Sequence, residues 1–327
     1  MVESALSALK LEHGESFLHV MPQFWAGWAS FALPAFSQGS TNVSLKSFAP
    51  ESFLETVERK RIAISLLVPS MIISLLQYPR LSDYDFSSLR LIIYAGAPMP
   101  VDILKKALGV FGNVFVQAYG QTEAMLSAWL APEDHAVGGS PEELGRLSSI
   151  GRAAINTELR VVDESGMDAA PGQVGELVIK GENVMKGYWR ELGRTAEVLK
   201  GGYLHTGDLM TVDRDGYFYF VDRGKDAILS GGKEVSSREV EEVIYSHSSV
   251  REVAVIGIPD EELGQSIKAV VMPKEGKRVS GQEIIDFCCQ YLELYKVPAS
   301  VDFVSSLPKT STGKILKAGL RERYLSP

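Results

Sequence analysis

The chain has 327 residues, enough for two domains. Hydrophobic residues make up 45% and charged residues 23%, which excludes a collagen-like, a disordered or a disulfide-scaffold protein. With 33 Lys and Arg against 41 Asp and Glu the formal net charge is −8, a poor basis for non-specific nucleic-acid binding, which needs basic stripes; glycine loops and a few placed cations can still bind anions locally.

Met1–His13 carries Glu3, Lys10 and Glu12 and does not read as a signal peptide. Ser16–Leu45 contains no Lys, Arg, Asp or Glu, so its length alone would allow a membrane span. Pro22 and Pro34 would leave backbone groups unpaired in lipid, so the stretch is read as a buried strand–helix unit. Ile62–Val68, Leu91–Tyr94 and Val114–Ala118 are apolar runs that predict buried strands. Pro100–Phe111 places Val101, Leu104, Leu108 and Phe111 on one helix face behind a proline start. Strands alternating with helices predict a parallel sheet.

The pattern changes after about Pro141. Glu158–Val162 and Gly175–Lys180 alternate, with a turn at Asp163-Glu-Ser-Gly166 between them. Tyr217–Val221 follows a second turn, Asp213-Arg-Asp-Gly216. This middle section is expected to be antiparallel, a small barrel or sandwich. Ser236-Ser-Arg-Glu239 and Ser280-Gly-Gln-Glu283 read as capping boxes opening amphipathic helices. Val253–Ile256 and Ala269–Met272 predict strands. A boundary is expected at Asp222–Asp226, giving a large domain over 1–222 (α/β to 141, β-rich after it) and a small α+β domain over 223–327. Cys288 and Cys289 are adjacent, so they read as thiols of a reducing compartment, the cytoplasm.

Several chemistries have no motif here. There is no Gly-x-Ser-x-Gly elbow, the five His are scattered, and no phosphate loop of the Gly-x-x-x-x-Gly-Lys-Ser/Thr type occurs. What recurs is a series of polar, glycine-bearing segments read as turns at strand ends. Tyr94-Ala-Gly-Ala-Pro98 and Gln117-Ala-Tyr-Gly-Gln-Thr-Glu123 follow predicted strands of the parallel sheet, where α/β folds bind ligands. In the second, Tyr119 offers a flat face to an aromatic base and Gly120 permits a tight turn. The Thr122 hydroxyl suits a phosphate, and Glu123 is a hard oxygen ligand suited to Mg²⁺. Tyr203-Leu-His-Thr-Gly-Asp-Leu209 supplies a carboxylate able to accept from a sugar diol. Asp222-Arg-Gly-Lys-Asp226 is followed by Ser230-Gly-Gly232, where a ligand can approach the backbone closely. Pro308-Lys-Thr-Ser-Thr-Gly-Lys314 ends on a Lys able to neutralise charge between a phosphate and an attacking anion.

Together with Gly175-Glu-Leu-Val-Ile-Lys-Gly181 and Gly187-Tyr-Trp189, these segments resemble the adenylate-forming superfamily of acyl-CoA synthetases, luciferases and peptide-synthetase adenylation domains, from about Phe17 to Arg321. Ser230-Gly-Gly-Lys-Glu-Val235 and Val253–Gln265 look most like bacterial fatty-acid-type acyl-CoA ligases. The resemblance implies a large α/β domain with a parallel sheet and a small β-barrel subdomain, followed by a small mobile α+β domain. It implies that Gly96, Ala97 and Pro98 line the adenine, within a nucleotide site that includes Gln117, Ala118, Tyr119 and Gly120, with Tyr119 stacked on the base. Thr122 would meet the α-phosphate and Glu123 hold Mg²⁺. Asp208 would bind the ribose hydroxyls and Arg223 the same sugar region. Lys225 would be the hinge of the small domain, and Lys314 would assist attack of the acid carboxylate. Gly231 and Gly232 would line the path of the CoA thiol, and Phe24, Trp25 and Gly27 the acyl pocket.

The implied reaction is acid plus ATP plus CoA giving acyl-CoA, AMP and pyrophosphate through an acyl-adenylate. A carboxylic, fatty-type acid and CoA are the expected partners, with neither nucleic acid nor a membrane span. Two departures accompany the resemblance. The family's Ser/Thr/Gly-rich loop ending in Pro-Lys is absent, so the chain is expected to begin inside a domain, as a fragment or a short natural form. Trp25 stands where many relatives carry His. Two further readings stay open: an adenylating enzyme with a carrier-protein or oxygen acceptor, and a non-catalytic nucleotide- or acyl-binding remnant. Gly231-Gly232 favours CoA.

Overall fold

The computed structural model describes residues 2–224, 226–310 and 313–325. They cluster into two compact units, one of residues 2–206 and 210–220, the other of residues 207–209 and the described residues from 221 on.

The first unit opens with α1 (Val2–Leu9), β1 (Ser16–His19), α2 (Ala26–Ser37), β2 (Thr41–Ser44), α3 (Pro50–Lys60), β3 (Ile64–Leu67), α4 (Pro69–Leu76), β4 (Leu91–Ala95), α5 (Val101–Phe111), β5 (Phe115–Gln121), β6 (Met125–Leu130), α6 (Pro141–Arg146) and β7 (Arg152–Ala153). The seven strands form one sheet in the order β2-β1-β3-β4-β5-β6-β7. The strands from β2 through β5 pair in parallel, whereas β6 and β7 are antiparallel. β3 and β4 are buried at every position, which is why they read as nearly continuous apolar runs; the one polar residue, Ser65, donates its hydroxyl to the Leu18 carbonyl. Their pairing is in register, Ile64 opposite Leu91 and Leu67 opposite Tyr94. Pro69 begins α4 with a fixed φ and no amide to satisfy, and α5 turns Leu104, Ala107, Leu108 and Phe111 into the core. The stretch Ser16–Leu45 is the strand–helix unit its prolines indicated, and no helix among the described residues is long and apolar enough to cross a membrane.

The strand order reverses around β1, which has β2 on one side and β3 on the other. Open α/β sheets bind ligands outside the carboxyl ends of strands at such a switch point. Residues Pro22–Gly27 follow β1 there.

The next strands are β8 (Thr157–Val162), β9 (Gly175–Gly181), then α7 (Leu192–Val198), β10 (Leu199–Lys200), β11 (Tyr203–Val212) and β12 (Phe218–Arg223). They make a second sheet, β10-β11-β9-β8 with β12 on β11. β8 and β9 pair antiparallel from Thr157–Gly181 to Val162–Glu176. Its apolar face gathers Val161, Leu177, Ile179, Leu204, Met210 and Phe218.

The second unit contains β13 (Ile228–Ser230), β14 (Lys233–Val235), α8 (Ser237–Ser246), β15 (Val250–Asp260), β16 (Gly264–Pro273), α9 (Gly281–Cys289), β17 (Ser300–Phe303) and α10 (Lys317–Leu325). The sheet runs β14-β13-β16-β15 with β17 parallel to β16. One face of β15 and β16 packs with Val240, Ile244, Ile284 and Cys288, and the other with Leu307 and Leu320.

The structure corrects several local expectations. Ser280 and Glu283 form the full reciprocal capping box. Ser236 forms only half of one: its hydroxyl accepts from the Glu239 amide, while the Glu239 carboxylate is drawn away to Lys296 Nζ at 2.8 Å. A second complete box opens α6, between Ser140 and Glu143. Tyr203–Leu209 is not a turn; it lies within the continuous strand β11. Gln117–Gln121 is likewise strand, and the turn is confined to Thr122–Ala124.

Candidate active site

In the first unit the expected nucleotide residues lie on the ends of β4 and β5. Gly96 leaves β4 with φ +86°, a conformation glycine adopts at no steric cost. Ala97 is half-buried and Pro98 exposed. Gln117 and Ala118 are buried in β5, and Tyr119 is half-buried against the second sheet's apolar cluster. Gly120 is needed for a different reason from the tight turn expected of it. β5 and β6 shift register between Tyr119 and Gly120, and a Cβ on Gly120 would stand 1.8 Å from the Met125 carbonyl oxygen. Only a residue without a side chain lets the two strands close at this bulge.

That closure presents Thr122 and Glu123 at the tip of the β5–β6 turn. Thr122 is exposed and Glu123 half-buried. Glu123 Oε1 accepts from the Tyr188 hydroxyl at 2.8 Å, and its carbonyl accepts from the Met185 amide at 2.6 Å. Burial, then the hydrogen bond to Glu123 and the Glu123 charge, raise the Tyr188 pKa and keep its phenol neutral. Tyr188 lies inside the Gly187-Tyr-Trp189 segment, where no local signal marks it as a partner of Glu123. Among the described residues no group of three or more His, Cys, Asp or Glu could hold a metal ion. Glu123 is thus a single hard oxygen donor, which fits Mg²⁺, an ion commonly held by one or two carboxylates together with substrate phosphates.

Beneath this edge lies a polar pair that the sequence did not reveal. His135 Nδ1 faces the Ala131 carbonyl at 2.8 Å, so that nitrogen carries the proton. Nε2 is then an acceptor for the buried Tyr94 hydroxyl at 3.0 Å. Burial drives the imidazole pKa down to about 4.

Of the three residues expected at the acyl pocket, Phe24 is 80% exposed, while Trp25 packs against the core. The Trp25 indole lies over Gly27, where a Cβ would come within 2.5 Å of the ring. Trp25 and Gly27 therefore depend on one another.

In the second unit, Asp208 is buried and pairs with Arg223 Nε at 3.2 Å. Lys314 belongs to the same cluster. Burial pushes its amine below the ordinary lysine pKa, the Arg223 charge pushes it further, and the Asp208 charge pulls it back. Lys314 sits on a returning loop: Lys309 bridges Ile315, and the Thr310 amide donates to the Lys314 carbonyl at 2.8 Å. Gly231 and Gly232 form the two-residue link between β13 and β14, with φ of +58° and +76°. Positive φ at both central positions is the type I′ hairpin requirement, so this pair has a structural reason of its own. Lys225, the expected hinge, and Thr312 of the Thr-Gly-Lys motif lie outside the described residues.

Residues 1–189 match the family model described as AMP-binding enzyme, and residues 239–314 match the AMP-binding enzyme C-terminal domain. Feruloyl-CoA synthase of Amycolatopsis sp is 41% identical over 292 residues, covering 89% of this chain and 58% of that protein. A long-chain-fatty-acid–CoA ligase of Bacillus subtilis (strain 168) is 35% identical over 315 residues, covering 95% of this chain and 54% of that protein. The solved structure of amide bond synthetase McbA from Marinactinospora thermotolerans superposes with a TM-score of 0.91 at 35% identity, covering 99% of this chain and 64% of that one. The chain thus spans a little over half the length of these curated relatives.

Proposed function

The chain belongs to the AMP-binding enzyme family, whose members include acid–CoA ligases, and from that premise we propose that it serves the AMP-forming ligation of a carboxylic acid to CoA. The acid displaces pyrophosphate from ATP to give an acyl-adenylate, and the CoA thiol then displaces AMP. The observation that carries this reading is the cluster of Asp208, Arg223 and Lys314. A carboxylate attacking a phosphate brings two anions together, and a cation held beside them lowers that barrier. Lys314 supplies this charge. Asp208, oriented by Arg223, is an acceptor for the two hydroxyls of a ribose.

On the same reading the β5–β6 turn serves the triphosphate, with Thr122 donating to a phosphate oxygen and Tyr119 stacking on the base. Glu123 would hold Mg²⁺, whose charge neutralises the phosphates when it is bound. Tyr188 fixes the carboxylate by donating to one of its oxygens. Lys225 acts as the hinge between the two half-reactions, and Gly231-Gly232 admits the thiol. The unpaired thiols of Cys288 and Cys289 support a reducing, cytoplasmic setting.

The test is acid-dependent exchange of labelled pyrophosphate into ATP, followed by thioester formation on adding CoA. The acid panel spans aryl-propenoic and long-chain fatty acids, because the relatives are named for both kinds. Exchange that requires an acid is expected. Release of ADP, or no exchange with any acid, would overturn the reading. A thioester formed only with a carrier protein would move the acceptor assignment away from CoA.

A further inference from the structure

We infer that Lys317 is a positioning residue for adenylate formation, acting through a buried relay that fixes both Lys314 and Arg223; this rests on the role proposed above for those two side chains. Lys317 is the first residue of α10, where the helix dipole disfavours a cation. It is placed there nonetheless, and its surroundings show why. Lys317 Nζ stands 2.7 Å from Glu241 Oε1 and donates to Ser237 Oγ at 2.6 Å. Ser237 Oγ donates in turn to Asp222 Oδ2 at 2.9 Å, and the Ser237 amide donates to the same oxygen at 2.6 Å. Asp222 Oδ1 accepts from the Arg223 amide at 2.7 Å. The directions are forced: an ammonium only donates, a carboxylate only accepts, and the serine hydroxyl does one of each. The relay thus runs from Lys317 through Ser237 and Asp222 to the backbone of Arg223, whose guanidinium meets Asp208.

Lys317 also anchors the Lys314 loop. Its return leg is Ile315 and Leu316, which lead straight into Lys317, and the Leu316 amide donates to the Pro308 carbonyl at 2.8 Å. Its outgoing leg is pinned by Lys309 Nζ on the buried Glu252 at 2.7 Å. Lys309 and Lys317 therefore straddle Lys314 and tie its loop to β15 and α8, while Lys314 makes no ion pair among the described residues. Glu241 also accepts from the Val255 amide at 2.8 Å, so removing Lys317 would leave a buried carboxylate without its cation.

The experiment compares Lys317→Met, Ser237→Ala and Lys317→Arg in the full chain. Three readouts are taken: acid-dependent pyrophosphate exchange, thermal unfolding, and the titration of the Lys314 amine by competitive acetylation across pH. Lys317→Met is expected to slow exchange by about 10–10²-fold, the cost of a small misplacement of a reacting group. Ser237→Ala breaks only the relay to Asp222, so a smaller loss is expected without a large change in melting. In both, the Lys314 amine should titrate closer to ordinary lysine, and Lys317→Arg should restore most of the exchange. An unchanged Lys314 titration in Ser237→Ala and Lys317→Met overturns the inference, as does a loss of rate that merely follows melting and is not rescued by arginine. Absence of exchange in the unaltered chain with a Lys314 titration that still responds would remove the proposed function and leave only the relay's hold on Lys314 standing.

Discussion

The two units build their candidate site residues by opposite means. In the first unit the β5–β6 turn owes its shape to backbone: an apolar parallel sheet, a register shift, and one position where no Cβ fits. In the second unit the Asp208–Arg223–Lys314 cluster owes its shape to charge, held by ion pairs of Lys309 and Lys317 with buried or nearly buried carboxylates. Backbone-built sites fail when volume is added. Charge-built sites tolerate volume and fail when a partner is removed.

The molecule carries its own separate reporters for this comparison. All four tryptophans, Trp25, Trp28, Trp129 and Trp189, lie in the first unit, so indole fluorescence follows that unit alone. Both cysteines lie in the second, and exposure of the buried Cys288 thiol to a thiol reagent follows its unfolding.

The largest expected effect is of acid on the first unit. His135 has its pKa lowered from 6.5 to about 4 by burial. A lowered native pKa means that the unfolded chain binds the extra proton first. The stability is complete above pH 6.5 and is lost as pH falls towards 4, by about 3 kcal/mol. His19, also lowered by burial, adds to the loss in the same direction. Denaturation followed by tryptophan fluorescence at pH 7 and pH 4.5 checks this, with His135→Gln expected to flatten the difference. Equal acid sensitivity of the thiol-reported unit would remove the contrast.

Next in size is Gly120→Ala. The added methyl meets the Met125 carbonyl, so the strands must part, at a cost of about 1–3 kcal/mol. The tryptophan melt should drop while thiol exposure keeps its midpoint. A smaller effect, about 1 kcal/mol, is expected of Tyr188→Phe, which removes one hydrogen bond to Glu123. Its clearer signature is a raised KM for Mg-ATP in pyrophosphate exchange.

The smallest effect has the opposite sign. Lys314 has a lowered native pKa, with burial the first cause, so at neutral pH the folded second unit bears the whole cost of its ammonium. That cost is relieved only as pH rises through the native pKa towards the ordinary lysine value. Lys314→Met should therefore raise the thiol-reported melting temperature slightly at pH 7. A fall would mean that Lys314 is a structural cation rather than a strained functional one.

Much of this was legible in the sequence, and the part that was not has a physical cause. Apolar runs such as Ile62–Val68 and Leu91–Tyr94 predict buried parallel strands because both faces are covered, and the strands Ile64–Leu67 and Leu91–Ala95 are found there. Motif residues with distinctive chemistry, Glu123, Asp208 and Lys314 among them, stand out by composition and order. Gly120 and Gly207 suggested turns, yet both lie within strands: Gly120 is required by the Met125 carbonyl that a Cβ would meet, Gly207 by its own φ of +71°. Ser237, Glu241 and Lys317 carry no local signal at all. They are ordinary surface-type residues in sequence, and only the reach of Lys317, at the start of α10, to Ser237 and Glu241 on α8 makes a relay of them. Glu239 shows the same limit, since its side chain is taken by Lys296 instead of closing the cap.

The central claim is that the second unit's charge cluster serves adenylate formation. The most direct measurement takes the two half-reactions separately in Lys314→Ala. Loss of one preorganised charge should slow pyrophosphate exchange by about 10²–10³-fold, while thioester formation from a supplied acyl-adenylate, in which the two anions no longer have to meet, is largely spared. Equal loss in both half-reactions would contradict the account.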